Sequence, residues 1–307
     1  MIKEEYKDQV RLMLKILPYV AAEKVFALKG GTAINMFIWD SPRLSVDLDL
    51  TYVNFDSREA ALANISSALA NIREKLLHAM PEMSVTLKGA NEDNDEKLFC
   101  RYKGVQVKIE VNTTMRGILY PTKLMTISPT TQQNYGLFAD MNIVSIPELF
   151  GGKICAALDR QHPRDLFDIN NLIINDGFTE QVKYGFIASL LSHPKAIHEI
   201  LDPIFYNQES AFENQFFGMT DKKFTYADFE NTRIILLRKI REMLTFQDKN
   251  FILSFKSGEP TWNLVNVEKL SDMPAIKWKL LNIRKLIESN PKRHTELFNQ
   301  LKNTLNL

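Results

Sequence analysis

Ser45-Val46-Asp47-Leu48-Asp49-Leu50-Thr51-Tyr52 is the stretch that decides the fold of this 307-residue chain. It alternates strictly, with Val46, Leu48, Leu50 and Tyr52 on one side and Ser45, Asp47, Asp49 and Thr51 on the other. That is the period of a half-buried strand. Residues two apart on a strand point the same way, with Cα atoms about 7 Å apart. Asp47 and Asp49 therefore present two carboxylates together, and these repel unless a cation lies between them or water solvates both. A hard divalent ion takes oxygen ligands, and Mg²⁺ typically uses one or two carboxylates plus substrate phosphates. The competing reading is the solvent face of an edge strand, where charged residues are common.

Just upstream, the short apolar run Val25–Leu28 stops at Gly30-Gly31, which reads as a strand entering a tight turn. Thr32–Trp39 then reads as a short helix. Glycines let backbone amides approach phosphate oxygens, and a helix N-terminus adds partial positive charge. A Gly-Gly pair also makes turns that bind nothing. A phosphate-cradling turn and a carboxylate pair from the next strand are nevertheless complementary halves of one nucleotide site.

Working outward, residues 3–17 have helical spacing, with Val10, Leu14 and Leu17 on one side and an interruption expected at Pro18. Ser57–Met80 is a long amphipathic helix. Strands follow at Ser84–Lys88, Lys97–Tyr102 and Val105–Val111, and the polar stretch Asn91–Glu96 reads as an exposed loop. Lys108 and Glu110 share the polar face of the last of these strands. If that strand neighbours Ser45–Tyr52, Glu110 completes a three-carboxylate metal site; a surface Lys–Glu face is the alternative. Leu124–Ile127 and Asn142–Val144 are weaker strand candidates.

From Ser145 the pattern turns helical. Ser145-Ile146-Pro147-Glu148 fits a capping box that opens a helix to about Arg160, and Pro163 opens another to about Ile174. Further helices read at 179–192, 226–245, 275–288 and 291–305, with Phe251–Phe255 taken as extended. The expected organisation is an α/β domain over 1–145 and a mostly helical domain over 146–307. Lys153 and Arg160 are two helical turns apart on one face, where cations would neutralise departing phosphates. Arg164 and Asp168 are neighbours at i, i+4, and a carboxylate fixed by an arginine can act as a general base. A structural ion-pair network is the alternative for this whole set.

Composition narrows the class. The chain is 45% hydrophobic and 24% charged with a net charge of +1, as for an ordinary soluble globular protein. A nucleic-acid partner must therefore be held by a local patch. The candidate is Lys277, Lys279, Arg284, Lys285, Lys292, Arg293 and Lys302 against Glu288 and Glu296, either an RNA-tracking face or a solvated helix exterior. Cys100 and Cys155 are far apart and no histidines have zinc-binding spacing, which argues against a disulfide scaffold and a zinc site. No apolar run approaches a membrane span and the N-terminus has no apolar signal core, so a cytoplasmic protein is expected. Trp262 and Trp278 are expected in the core, with partner contact as the alternative.

Four motifs stand in order: Lys29-Gly30-Gly31-Thr32; Ser45-x-Asp47-x-Asp49; Lys108-Ile109-Glu110-Val111; and Lys153, Arg160 and Arg164-Asp165-Leu166-Phe167-Asp168. Together they resemble the AbiEii/AbiGii nucleotidyltransferase toxins. The resemblance covers almost the whole chain and extends to Gly258-Glu259-Pro260-x-Trp262 and to Pro274-Ala275-Ile276-Lys277-Trp278-Lys279-Leu280-Leu281-Asn282. It implies an α+β fold: a polymerase-β-like nucleotidyltransferase mixed sheet with flanking helices, then a mostly α-helical C-terminal domain that contributes Lys and Asp side chains to the active site. It implies Mg²⁺-dependent transfer of a nucleotide from an NTP to an acceptor hydroxyl, with the 3′ end of tRNA as acceptor and a cognate antitoxin as partner. Gly30, Gly31 and Thr32 would hold the triphosphate, with Lys29 beside it, and Asp47 and Asp49 would bind Mg²⁺. Lys153 would contact the phosphates, Asp165 or Asp168 would be the late essential aspartate, and Ser45 would lie close to the metal. Lys108, Arg160 and Arg164 complete the expected phosphate-side set, and Glu110 the expected metal set. The turn departs from the usual Gly-Ser in carrying Gly-Gly-Thr, which keeps the hydroxyl. Competing readings are a small-molecule nucleotidyltransferase of the antibiotic-modifying kind, a kinase-like transfer of the γ-phosphate, and a degenerate relative that only binds a partner.

Overall fold

Strands β1 (Phe26–Lys29), β2 (Asp47–Tyr52), β3 (Ser84–Lys88), β4 (Asp95–Tyr102), β5 (Val105–Asn112), β6 (Lys123–Thr126) and β7 (Asp140–Ile143) join in one sheet, ordered β3-β4-β5-β2-β1-β7-β6. The computed structural model describes residues 2–89, 95–175 and 177–307. Positions 91–94 of the expected Asn91–Glu96 loop lie outside the described residues, and β4 begins at Asp95.

The strand with the two aspartates is not an edge. β2 pairs antiparallel with β1 and parallel with β5, which removes the edge-strand reading. Its apolar face is fully covered, with Leu48, Leu50 and Tyr52 at 0% exposure, and Thr51 on the other face is buried too. Burying each leucine contributes about 2 kcal/mol. A one-residue slip would turn that face outward, so the register of the aspartates is strongly fixed.

Helices α1 (Glu4–Ala21) and α3 (Arg58–Ala79) pack against this sheet. α1 runs through Pro18 instead of stopping there, and Ala22 N donates to Pro18 O at 3.2 Å. The proline forfeits one backbone bond, but Val10, Met13, Leu14, Leu17 and Val20 are buried along the helix and outweigh that loss. α2 (Gly30–Ala33) starts at the first glycine and continues as a π turn over Ile34–Ile38. α4 (Pro129–Tyr135) is a short helix absent from the sequence reading.

The chain divides into two units, Met1–Ser145 with Phe217–Lys223, and Ile146–Phe216 with Phe224–Leu307. Phe217–Lys223 comes from the helical half of the sequence yet belongs to the first unit. There Leu44 N donates to Met219 O, and Thr220 Oγ1 donates to Pro42 O, both at 2.7 Å.

In the second unit all described regular elements are helices: α5 (Ile146–Asp159), α6 (Pro163–Ile174), α7 (Glu180–Ser192), α8 (Ile197–Leu201), α9 (Glu209–Ala211), α10 (Tyr226–Met243), α11 (Phe246–Lys256), α12 (Pro274–Ser289) and α13 (Pro291–Leu305). α5 and α7 cross at Gly151 and Gly185, where a Cβ on either glycine would collide with the other helix's backbone. Phe251–Phe255, expected to be extended, lies inside α11. A Thr245/Asp248 capping box starts that helix, and Phe251, Ile252 and Phe255 are buried at helical spacing. Trp278 is 52% exposed on α12 and so is not the core residue expected, whereas Trp262 packs on Phe251 and Phe255. No helix among the described residues is long and apolar enough to cross a membrane.

Candidate active site

In the first unit, β1 delivers the glycine turn to the carboxylate pair. Lys29, the last residue of β1, is opposite Asp49 in the antiparallel register. Gly30 has φ +71°, and a Cβ there would overlap the Asp49 carboxylate. A Cβ on Gly31 would lie 3.0 Å from Ser45 Oγ and 2.7 Å from Arg43 Nη2. Only glycine permits both the left-handed turn and these approaches. Thr32 Oγ1 donates to Asp47 O at 2.5 Å and is within hydrogen-bond distance of Ser45 Oγ, at 3.0 Å. The hydroxyl thus fastens the turn to the start of β2, at the residue that carries the first carboxylate.

Asp47 and Asp49 are half-buried and flank the fully buried Leu48. In the parallel register with β5, Asp47 is opposite Lys108 and Asp49 is opposite Glu110. The strand-neighbour condition set for Glu110 is therefore met. Its carboxylate, however, is ion-paired with Lys108 and lies 3.8 Å from Lys97 Nζ. Among the described residues no three His, Cys, Asp or Glu side chains are grouped to hold a metal ion. The expected trio of Asp47, Asp49 and Glu110 is not gathered as a three-ligand set, because the two lysines engage Glu110. Burial works against the Lys108 charge. The hydrogen bond to Glu110 and the charges of Asp47 and Asp49 outweigh it and raise the pKa above the ordinary lysine value.

Arg43 was not picked out from the sequence. It is 2% exposed, its Nη1 donates to Leu44 O at 2.9 Å, and its Nη2 closes on Gly31. A lone arginine in the Ser41-Pro42-Arg43 loop carries no sequence signal; only the folded loop brings it to the turn. Lys97 is likewise brought to Glu110 by the pairing of β4 with β5.

In the second unit, α5 and α6 build an ion network from the remaining candidates. Lys153 Nζ lies 2.9 Å from Asp165 Oδ1 and 3.0 Å from Asp168 Oδ2. Arg160 donates to Asp165 through Nε at 2.6 Å and Nη2 at 3.1 Å. Lys153, Asp165 and Asp168 have side-chain exposures of 5, 2 and 0%, whereas that of Arg160 is 62%. Burial opposes the Asp165 charge, but Lys153 and then Arg160 overcome it and hold its carboxyl far below the usual carboxylate range. So firmly ionised a carboxylate is a poor proton acceptor. Arg164 is half-buried in the first turn of α6, with its backbone N–H donating to His162 Nδ1 at 3.1 Å.

A glycine turn that a hydroxyl fastens to the strand bearing the paired carboxylates has the parts a nucleotide-handling enzyme needs, and the comparisons supply the class. The family described as "Nucleotidyl transferase AbiEii toxin, Type IV TA system" matches residues 11–280. The chain belongs to this family of nucleotidyltransferase toxins, whose type IV toxin–antitoxin setting implies an NTP substrate and an antitoxin partner. Among solved structures it is similar to MenT4, a nucleotidyltransferase toxin from Mycobacterium tuberculosis H37Rv. That similarity has a TM-score of 0.58 at 14% identity, over 92% of this chain and 95% of that one, and so concerns the fold. No curated protein matches the chain.

Proposed function

We propose that this chain is a Mg²⁺-dependent cytoplasmic enzyme that moves a nucleoside monophosphate from an NTP to a hydroxyl at the 3′ end of tRNA. The observation that best supports this reading is the direct approach of the Gly30 turn to Asp49. One place then offers backbone amides for phosphates and a carboxylate for the cation that accompanies them. Asp47 and Asp49 suit a hard divalent ion, because substrate phosphates and water complete a shell begun by two carboxylates. When bound, Mg²⁺ supplies charge stabilisation to the phosphates.

The remaining work falls to this chain's own groups. The Gly30 and Gly31 amides and Lys29 receive the triphosphate. Thr32 locks the turn to β2 through Asp47 O and Ser45 Oγ, so the two halves keep their spacing. Arg43 and Lys108 add positive charge to the same surroundings. In the second unit Asp165 and Asp168 hold the Lys153 ammonium in place. In the reaction the acceptor oxygen forms a bond to the α-phosphorus and the bond from that phosphorus to the α,β-bridging oxygen breaks. Pyrophosphate leaves and the hydroxyl proton passes to solvent. Preorganised charge and orientation are the main sources of acceleration in such a transfer.

The test is incubation with NTPs labelled at the α or the γ position, cellular RNA or small hydroxylic acceptors, and Mg²⁺ or EDTA. The expected result is α-label in tRNA, only with Mg²⁺. γ-Label in the acceptor would make the enzyme a kinase. α-Label only in small acceptors would make it an antibiotic-type transferase. No label in any acceptor would leave a binding-only relative.

A further inference from the structure

In the helical unit a cavity of about 510 Å³ opens beside α10. Ile234, Leu237, Arg238 and Arg241 line it from α10, at the spacing that puts them on one helical face. Phe205 comes from the connection between α8 and α9, Lys249 from α11, and Asn306 from just beyond α13. The apolar part of this lining is not covered: Ile234 is 59% exposed and Phe205 43%.

Phe205 is held from one side. The Arg233 guanidinium lies 4.6 Å from the centroids of both the Phe205 ring and the fully buried Phe229 ring. Its Nη1 donates to Tyr206 O at 2.7 Å and to Gln161 Oε1 at 3.2 Å, which fixes the cation against the ring. Among the described residues no aromatic side chain stacks on the other face of Phe205.

The cations at the cavity are free or loosely paired. Lys249 is half-buried, and among the described residues its ammonium has neither an ion pair nor a hydrogen bond. The Arg238 guanidinium makes no hydrogen bond among them either, and its carboxylate contact is Glu242 at 3.9 Å, with both side chains exposed. Arg241 pairs with Asp202 at 3.1 Å, again with both exposed. Exposed pairs of this kind contribute little and give way easily to another anion.

A solvated helix exterior explains the cations and leaves the grouped Phe205, Ile234 and Leu237 without a reason. An apolar protein-docking patch explains those three, but the core of such a patch is poor in charge, and the free ammonium is then without a reason. A nucleotide uses both. Its base has a flat face for an aromatic ring, and its phosphates accept charge-assisted hydrogen bonds from arginine and lysine. The Asn306 amide offers a donor and an acceptor to a base edge, and the volume lies within the range of small-ligand sites.

We propose that this cavity holds one nucleotide of an RNA strand, with its base on Phe205, Ile234 and Leu237 and its flanking phosphates on Arg238 and Lys249. Those two cations stand on different helices, so phosphates on both sides of one base can be met, as a strand requires and a free nucleotide does not. The inference rests on the reading of RNA as acceptor and adds the place where the helical unit grips the strand.

The experiment titrates fluorescein-labelled tRNA, by anisotropy, against the full chain, Phe205→Leu and Lys249→Gln over a range of sodium chloride. Phe205→Leu is expected to bind at least about fivefold more weakly with an unchanged salt slope, because stacking releases no counterions. Lys249→Gln is expected to bind more weakly and to lower the slope of log affinity against log salt by about 0.7, the share of one phosphate in a single strand. Unchanged affinity and slope in both variants overturn the proposal and leave the acceptor reading standing, whereas a wild type that binds no tRNA removes both. Labelled UTP and a peptide of alternating Glu and Phe are titrated alongside. Weaker binding of either by the variants, with tRNA unaffected, assigns the cavity to a free nucleotide or to a protein segment and overturns the RNA assignment. Should Phe205→Leu fail to fold, because Phe205 also covers Arg233, Arg238→Gln is combined with Lys249→Gln, and the slope is expected to fall by about 1.4.

Discussion

Gly30→Ala separates backbone strain from damage to the carboxylate pair. Gly30 has φ +71°, and an added Cβ would overlap Asp49 Oδ2 and lie 3.1 Å from Asp49 Cβ and Cγ. The left-handed backbone costs an alanine about 1–2 kcal/mol. Forcing the neighbour aside adds about 1–3 kcal/mol, as overpacking usually does. Gly136→Ala is the control, because Gly136 has φ +61° and nothing within 4 Å of the added Cβ. That variant is expected to lose the strain energy alone and to keep its activity. Gly30→Ala is expected to lose about 2–5 kcal/mol in urea denaturation. Its transfer of α-labelled nucleotide to RNA is expected to fall about a hundredfold, as for a reacting group displaced by about 1 Å. Equal stability losses in the two variants with transfer intact in both would refute the placement of Asp49 against the turn.

Lys153→Met leaves Asp165 and Asp168 buried without the ammonium between them, so a loss of about 3–5 kcal/mol is expected. A denaturation midpoint close to wild type would show that Arg160 suffices. Thr32→Val removes the hydroxyl that ties the turn to Ser45 and Asp47 and should cost about 1–2 kcal/mol with a raised KM for the NTP. An unchanged KM would show that the turn holds its position without the tie. The Asp159 pKa is lowered from 3.8 to about 2, first by its hydrogen bond with His193, against burial, and further by Lys195. A lowered folded-state value means stability present above the unfolded pKa and lost as pH falls through the folded one. Asp159 should therefore contribute at most about 2 kcal/mol that disappears between about pH 4 and pH 2. Asp159→Asn should flatten that part of the stability profile, and an unchanged slope would contradict the assignment.

The placement of the candidate residues in the first unit was legible because they are local in the chain. Alternation over Ser45–Tyr52 fixes the side on which the carboxylates project, and Gly30-Gly31 marks the turn. Lys108 and Glu110 could be placed only conditionally, because a strand's neighbour depends on pairings that no local pattern records. The sheet answers with β5 beside β2. Arg43 was invisible for the same reason. In the second unit the spacing put Lys153 and Arg160 on one face, yet spacing cannot tell a waiting cation from a satisfied one. Lys153 proves to be buried between two aspartates. Phe251–Phe255 was misread because a short apolar run fits strand and helix alike, and its capping box lies six residues earlier, at Thr245. Pro18 was overruled by packing, and Trp278 was placed in the core on residue type alone although it faces outward.

Catalysis by the carboxylates of β2 is tested most directly by giving wild type and Asp47→Ala the same α-labelled NTP, tRNA and Mg²⁺. Wild type should place label on the RNA, while the variant, with a matching melting curve, should place none. A variant that melts like wild type and still labels the RNA would contradict the account.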